Sequence, residues 1–128
     1  SFGILFDSSQ ENQTDISMNE LTTGLQRKLH LNLNDKKSLF LIRVKGDSMI
    51  NAGIHSGDYL LVDTSLPKEN NSIVIAEING NWTVKRISFD SYGIMLKPEN
   101  PAYSNLTISE NDNFKIVGTV IKVIKSFN

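Results

Sequence analysis

The chain contains no cysteine. That excludes a disulfide framework, thiolate catalysis and a Cys-based zinc site. Histidine is almost as scarce, with only His30 and His55. Two imidazoles are too few for a His-rich metal site, and nothing in the sequence implies a cofactor. Nor is there an excess of positive charge. Lys plus Arg is 13 and Asp plus Glu is 14, a formal net charge of −1. Nucleic-acid modules usually carry a basic patch, so direct nucleic-acid binding is not expected. Action beside DNA through a protein partner remains open. No run of about 18 apolar residues is present, which excludes a membrane-spanning helix. The opening Ser1-Phe2-Gly3-Ile4-Leu5-Phe6 is too short and too uncharged for a signal peptide. It also lacks an initiator Met, which implies a processed or trimmed product. The missing cysteines fit a reducing cytoplasm.

What is present is the composition of an ordinary globular domain. Of 128 residues, 39% are hydrophobic and 21% charged, so the chain needs no metal or disulfide to stay folded. Residues 1–37 read as an N-terminal arm. Within it, 7–20 are polar and patternless. A short helix is expected near 17–29, with Ser17 as N-cap and Glu20 completing a capping box. Leu21, Leu25 and Leu29 would then share one face. Gly24 and two threonines weaken that helix.

The texture changes at Ser38. Residues 38–128 predict a mostly β domain of about six short, largely antiparallel strands. Leu39–Lys45 places Phe40, Ile42 and Val44 on one face. Asp58–Asp63 follows Gly57. Ile73–Ile78 and Trp82–Ile87 flank Asn79-Gly80, the strongest short-range hairpin signal. Ile94–Lys97 is ended by Pro98 and Pro101. Phe114–Ile124 carries Gly118, a bulge or a point of close backbone approach. No stretch reads as a helix-turn-helix.

Two residues could carry chemistry. Ser48 sits where Gly46 and Asp47 break the first strand. It is either a turn or N-cap residue or a nucleophile, and the second role needs a neighbouring base. Lys85 shares a strand face with Thr83, Ile87 and Phe89. Either its stem packs while the ammonium reaches water, or burial lowers its pKa and leaves a neutral amine able to act as a base. Trp82 and Val84 make the opposite face apolar too, so strand parity does not decide. Asp58 is expected to bond turn amides, and Met49 to pack or to belong to the oxyanion turn rather than to act as a ligand. Trp82, Tyr92 and Tyr103 are not interleaved with basic residues, so a base-stacking platform is not expected. Lys122 and Lys125 suit a sheet edge or a solvated face.

Read together, the motifs carry a resemblance. GDSMINAGIHSGDYLLVD (46–63) resembles the signature of the LexA/UmuD family of self-cleaving serine peptidases. INGNWTVKR (78–86) is similar to the family segment that holds the catalytic lysine. LKPENPAYSNLTI (96–108) and FKIVGTVIKVIKS (114–126) resemble the closing half of that domain. The arm is too short for a helix-turn-helix and linker. Ala52-Gly53-Ile54 and Glu99-Asn100-Pro101-Ala102-Tyr103 look most like the UmuD branch.

The resemblance implies a Ser/Lys dyad of Ser48 and Lys85, with backbone N–H groups of Asp47 and Ser48 as the oxyanion hole. It implies cleavage before a Gly, for which Phe2-Gly3 is the candidate; family members usually cut after Ala or Cys, so Phe2 is a departure. It further implies an SOS mutagenesis factor in the cytoplasm, a homodimer whose self-cleavage is stimulated by RecA filaments on single-stranded DNA. The processed dimer would serve a UmuC-like Y-family polymerase in translesion synthesis. The alternative is the C-terminal dimerisation and self-cleavage domain of a LexA-like or phage repressor. A signal-peptidase-like hydrolase acting in trans and an inert interaction domain are further alternatives.

Overall fold

A computed structural model describes residues 38–125. The arm, with its expected helix near 17–29, lies outside the described residues, as do Phe2 and Gly3.

The described chain is one seven-stranded sheet in the order β1-β2-β7-β3-β4-β5-β6. The strands are β1 (Leu39–Arg43), β2 (Tyr59–Asp63), β3 (Ile73–Ile78), β4 (Asn81–Asp90), β5 (Gly93–Lys97), β6 (Leu106–Thr107) and β7 (Phe114–Ile124). Every neighbouring pair is antiparallel. Among the described residues one 3₁₀ turn, Ile50–Ala52, interrupts the strand pattern. The mostly β expectation therefore holds, and the expected strands fall within a few residues of their places. β4 extends three residues further than expected, because Asp90 and Gly93 close a second hairpin through Ser91-Tyr92. The two-residue β6 is too short to leave a period in the sequence.

The Asn79-Gly80 hairpin forms as read. Ile78 pairs with Asn81 across it, and φ is 51° at Asn79 and 87° at Gly80. Positive φ at both central residues is the geometry that matches the right-handed strand twist. This turn fixes the register of β4, and with it the height at which Lys85 stands opposite Val74.

Apolar residues cover both faces. One cluster joins Ile42, Val44, Met49, Ile54, Leu60, Val62, Ile75 and Val84. A second joins Val74, Ala76, Ile78, Ile87 and Leu96. Leu41, Leu61 and Ile124 form a third. Phe40 packs on the first cluster beside Ile42 and Val44, as the alternation of β1 predicts, while Leu41 is buried on the other side.

β7 runs through the middle of the sheet, between β2 and β3. It reaches both neighbours by skipping one residue against each. The ladder passes over Ile121 on the β2 side and Val117 on the β3 side. Gly118 lies between these irregularities, and a Cβ there would stand 2.6 Å from Val62 Cγ1 and 3.0 Å from the Asp63 carbonyl oxygen. Gly118 is both things the sequence offered, part of a bulged strand and a close approach. Gly118→Ala is expected to lower stability by about 1–3 kcal/mol through overpacking, read as an earlier urea midpoint at unchanged slope.

Candidate active site

The nucleophile candidate sits in the connection that leaves β1. After Arg43 the chain turns through Gly46 and Asp47, and Ile50 N–H donates to the Asp47 carbonyl at 3.3 Å. Met49 is 1% exposed and belongs to the first core cluster. That buried side chain anchors the turn and fixes where its neighbour Ser48 points. Ser48 is itself 3% exposed. The 3₁₀ turn is capped by Met49 with no side-chain hydrogen bond, so Ser48 is not the helix cap that its residue type allowed.

Its hydroxyl faces Lys85. Nζ lies 3.0 Å from Ser48 Oγ, 2.6 Å from Thr83 Oγ1 and 3.1 Å from the Val84 carbonyl oxygen. Lys85 is 1% exposed, which rules out a stem that packs while the ammonium reaches water. Desolvation by burial lowers its pKa from 10.5 to about 7, since an apolar surrounding disfavours the charged form. A large fraction of the amine is then neutral near pH 7. A neutral amine has two N–H bonds and one lone pair. Thr83 and the Val84 carbonyl can accept the two N–H bonds, which leaves the lone pair for the serine proton. Strand alternation places Thr83 on the same face as Lys85, and the structure adds that it holds the amine. The i, i+2 spacing on β4 was the available signal.

The loop after β5 lies against the same turn. Glu99 N–H donates to the Ser48 carbonyl at 2.8 Å, and Asn51 N–H to the Glu99 carbonyl at 2.8 Å. Asn100 Nδ2 donates to the Asp47 carbonyl at 2.8 Å, and Tyr103 hydroxyl to Asp47 Oδ1 at 2.6 Å. Arg86, next to Lys85 on β4, donates from Nε to Glu99 Oε1 at 2.8 Å.

Asp58 does bond a turn amide, accepting from His55 N–H at 2.8 Å, as expected. It is also buried and ion-paired with Lys125 at 2.7 Å. Lys125 Nζ donates to the Gly53 carbonyl at 2.6 Å as well, and so ties the end of β7 to the loop after Ser48. Of the sheet edge or solvated face expected for Lys122 and Lys125, the second holds: β7 is a central strand and both lysines are exposed. Lys122 lies on its exposed side, whereas Lys125 serves the loop. Among the described residues no cluster of His, Asp and Glu could hold a metal ion, and no helix is long and apolar enough to cross a membrane.

A family model described as Peptidase S24-like matches residues 2–121. The chain belongs to this family of LexA/UmuD-type self-cleaving serine peptidases. Curated relatives of the S24-like domain agree. A LexA repressor of Syntrophotalea carbinolica is 39% identical over 88 residues, covering 69% of this chain and 44% of the relative. LexA repressor 1 of Xanthomonas campestris pv. campestris is 36% identical over 108 residues, covering 80% and 52%. A LexA repressor of Caldicellulosiruptor saccharolyticus is 44% identical over 86 residues, covering 67% and 41%. The S24-like chain thus matches about half or less of the length of these relatives.

Proposed function

We propose that this chain carries the self-cleavage and dimerisation domain of a LexA-like repressor, and that Ser48 and Lys85 cut a peptide bond in the segment ahead of β1. The observation that carries this reading is the 3.0 Å contact between the Ser48 hydroxyl and a lysine amine buried beneath it. In the first half-reaction neutral Lys85 takes the hydroxyl proton and Ser48 Oγ bonds to the carbonyl carbon. The developing oxyanion accepts from the backbone N–H groups of Asp47 and Ser48 in the turn that carries the nucleophile. Collapse breaks the C–N bond as the Lys85 ammonium returns its proton to the leaving amine. Water then attacks the ester with Lys85 again as base, and Ser48 is restored. The Phe2–Gly3 bond is the candidate cleavage site.

The relatives' name supports the repressor reading over the polymerase-accessory one. The Ala52-Gly53-Ile54 and Glu99–Tyr103 stretches favour a UmuD-like factor serving a UmuC-like polymerase, which is the second reading. In both, the protein works in the cytoplasm as a homodimer, and a RecA filament on single-stranded DNA stimulates the cut.

The whole gene product, incubated with and without activated RecA filaments, tests the reading. The expected result is one cut ahead of β1, accelerated by the filament and absent in Ser48→Ala. A Ser48→Ala protein that cuts at the wild-type rate would overturn it. Binding of operator DNA that is lost on cleavage would select the repressor, and co-purification with a Y-family polymerase the UmuD-like factor. Thr83→Val keeps shape but removes an acceptor of the amine. It is expected to slow the cut about tenfold, the worth of one hydrogen bond that orients the amine and strengthens as the amine gains charge, as read by gel time course.

A further inference from the structure

The Ser48 turn and Arg86, the strand neighbour of Lys85, are tied to one short loop. Residues 99–103 accept from Arg86, the neighbour of Lys85, and bond the backbone of Asp47, Ser48 and Asn51 on the other side. The loop is itself stiff. Tyr103 N–H donates to the Asn100 carbonyl at 3.0 Å, and Ala102 N–H to Asn100 Oδ1 at 2.9 Å. Pro98 precedes it and Pro101 lies within it, each locking one φ angle. Two of its side chains reach Asp47, the residue before the nucleophile: Asn100 Nδ2 donates to the Asp47 carbonyl at 2.8 Å and the Tyr103 hydroxyl to Asp47 Oδ1 at 2.6 Å. Asp47 shares a peptide unit with Ser48, so holding its side chain also holds the tilt of the Asp47–Ser48 amide. Gly46 and Asp47 are exposed, and the Tyr103 bond holds the Asp47 side chain while Asn100 and Glu99 hold the Asp47 and Ser48 carbonyls.

We propose that the 99–103 loop is a clamp that sets the Ser48 turn against β4, with Tyr103 its positioning residue acting through the Asp47 carboxylate. The inference rests on the Ser48/Lys85 reading and adds to it. Tyr103 does not touch the reacting atoms; it fixes the peptide that carries the nucleophile, and with it the proposed oxyanion donors. Transition-state stabilisation by fixed donors depends steeply on their position, so a solvent-exposed bond can matter more for rate than for stability. The bond to Asp47 raises the phenol pKa above its ordinary value, as do partial burial and the carboxylate charge. Tyr103 therefore remains a hydrogen-bond donor through the neutral and mildly alkaline range in which the amine is neutral.

The test is the self-cleavage rate of the whole gene product across pH 6–9, with unfolding measured on the same samples. The variants are Tyr103→Phe, Asp47→Ala, Asp47→Asn and the Tyr103→Phe/Asp47→Ala pair, beside Ser48→Ala. Tyr103→Phe is expected to lower the high-pH plateau about tenfold, with the midpoint of the profile and the melting temperature unmoved. Asp47→Ala should lose as much, the pair should lose no more than either alone, and Asp47→Asn, which keeps an oxygen acceptor, should recover part of the rate. A Tyr103→Phe protein that cuts at the wild-type rate would overturn the clamp. So would losses that multiply in the pair, a loss that appears as a shifted midpoint, or a loss matched by a fall in melting temperature. If Ser48→Ala also cuts, the dyad reading fails first; if Ser48→Ala is inert and Tyr103→Phe is normal, the clamp alone fails.

Discussion

Lys85→Met and Ser48→Ala are each expected to slow self-cleavage by about 10³-fold or more while the protein remains folded. A positioned general base contributes roughly 10²–10⁴ in rate. Removing the nucleophile abolishes the covalent route and leaves only what binding and oxyanion stabilisation provide. Methionine is the sharper replacement for Lys85. It keeps much of the volume of a side chain that is 1% exposed, whereas alanine would add a cavity to the loss of the base. Because serine and lysine act as one unit, the double variant should be no slower than either single one. A double variant much slower than both would mean that the two residues act separately, against the 3.0 Å contact between them.

The second large effect is on stability and depends on pH. Lys85 has a pKa of about 7 in the folded protein and 10.5 when exposed. Below pH 7 both states hold the proton, and the folded state bears the full cost of a buried ammonium. Between pH 7 and 10.5 the unfolded chain binds a proton that the folded protein has released, so stability rises with pH across that window. Above 10.5 neither state holds it and the difference vanishes. The shift corresponds to roughly 4–5 kcal/mol. Lys85→Met has no such group. Wild-type stability should therefore climb relative to Lys85→Met by about that amount from pH 7 to 10.5, and run parallel to it from pH 5 to 6. Urea unfolding of both proteins across pH measures the difference, and other titrating groups cancel in it. Parallel curves throughout would mean that Lys85 keeps an ordinary pKa in the folded state.

Much of the sheet was legible because its signals are local. The alternation in β1, the Asn79-Gly80 turn and Gly118 each state a backbone geometry within a few residues. β6 escaped because two residues carry no period. The site was harder for the same reason. Ser48 and Lys85 each had an unremarkable reading in sequence, and only the resemblance joined them. The contact itself is made by the β4 hairpin register and the Met49 anchor, two features distant in sequence. Thr83, Tyr103 with Asp47, and Lys125 with Asp58 were missed as partners because their bonds depend on side-chain direction in the folded chain. The Glu99–Tyr103 string carries a resemblance in sequence, and its place against the nucleophile turn emerges only from the loop contacts.

In the proposed mechanism a neutral Lys85 withdraws the Ser48 proton. The pH–rate profile of self-cleavage in the whole gene product, without RecA, measures this most directly. The rate is expected to rise about tenfold per pH unit below 7, to bend near pH 7 where Lys85 loses its proton, and to be flat above. Lys85→Met should show no such rise. A rate that is the same at pH 5.5 and 8.5, or a bend of the same size retained in Lys85→Met, would contradict it.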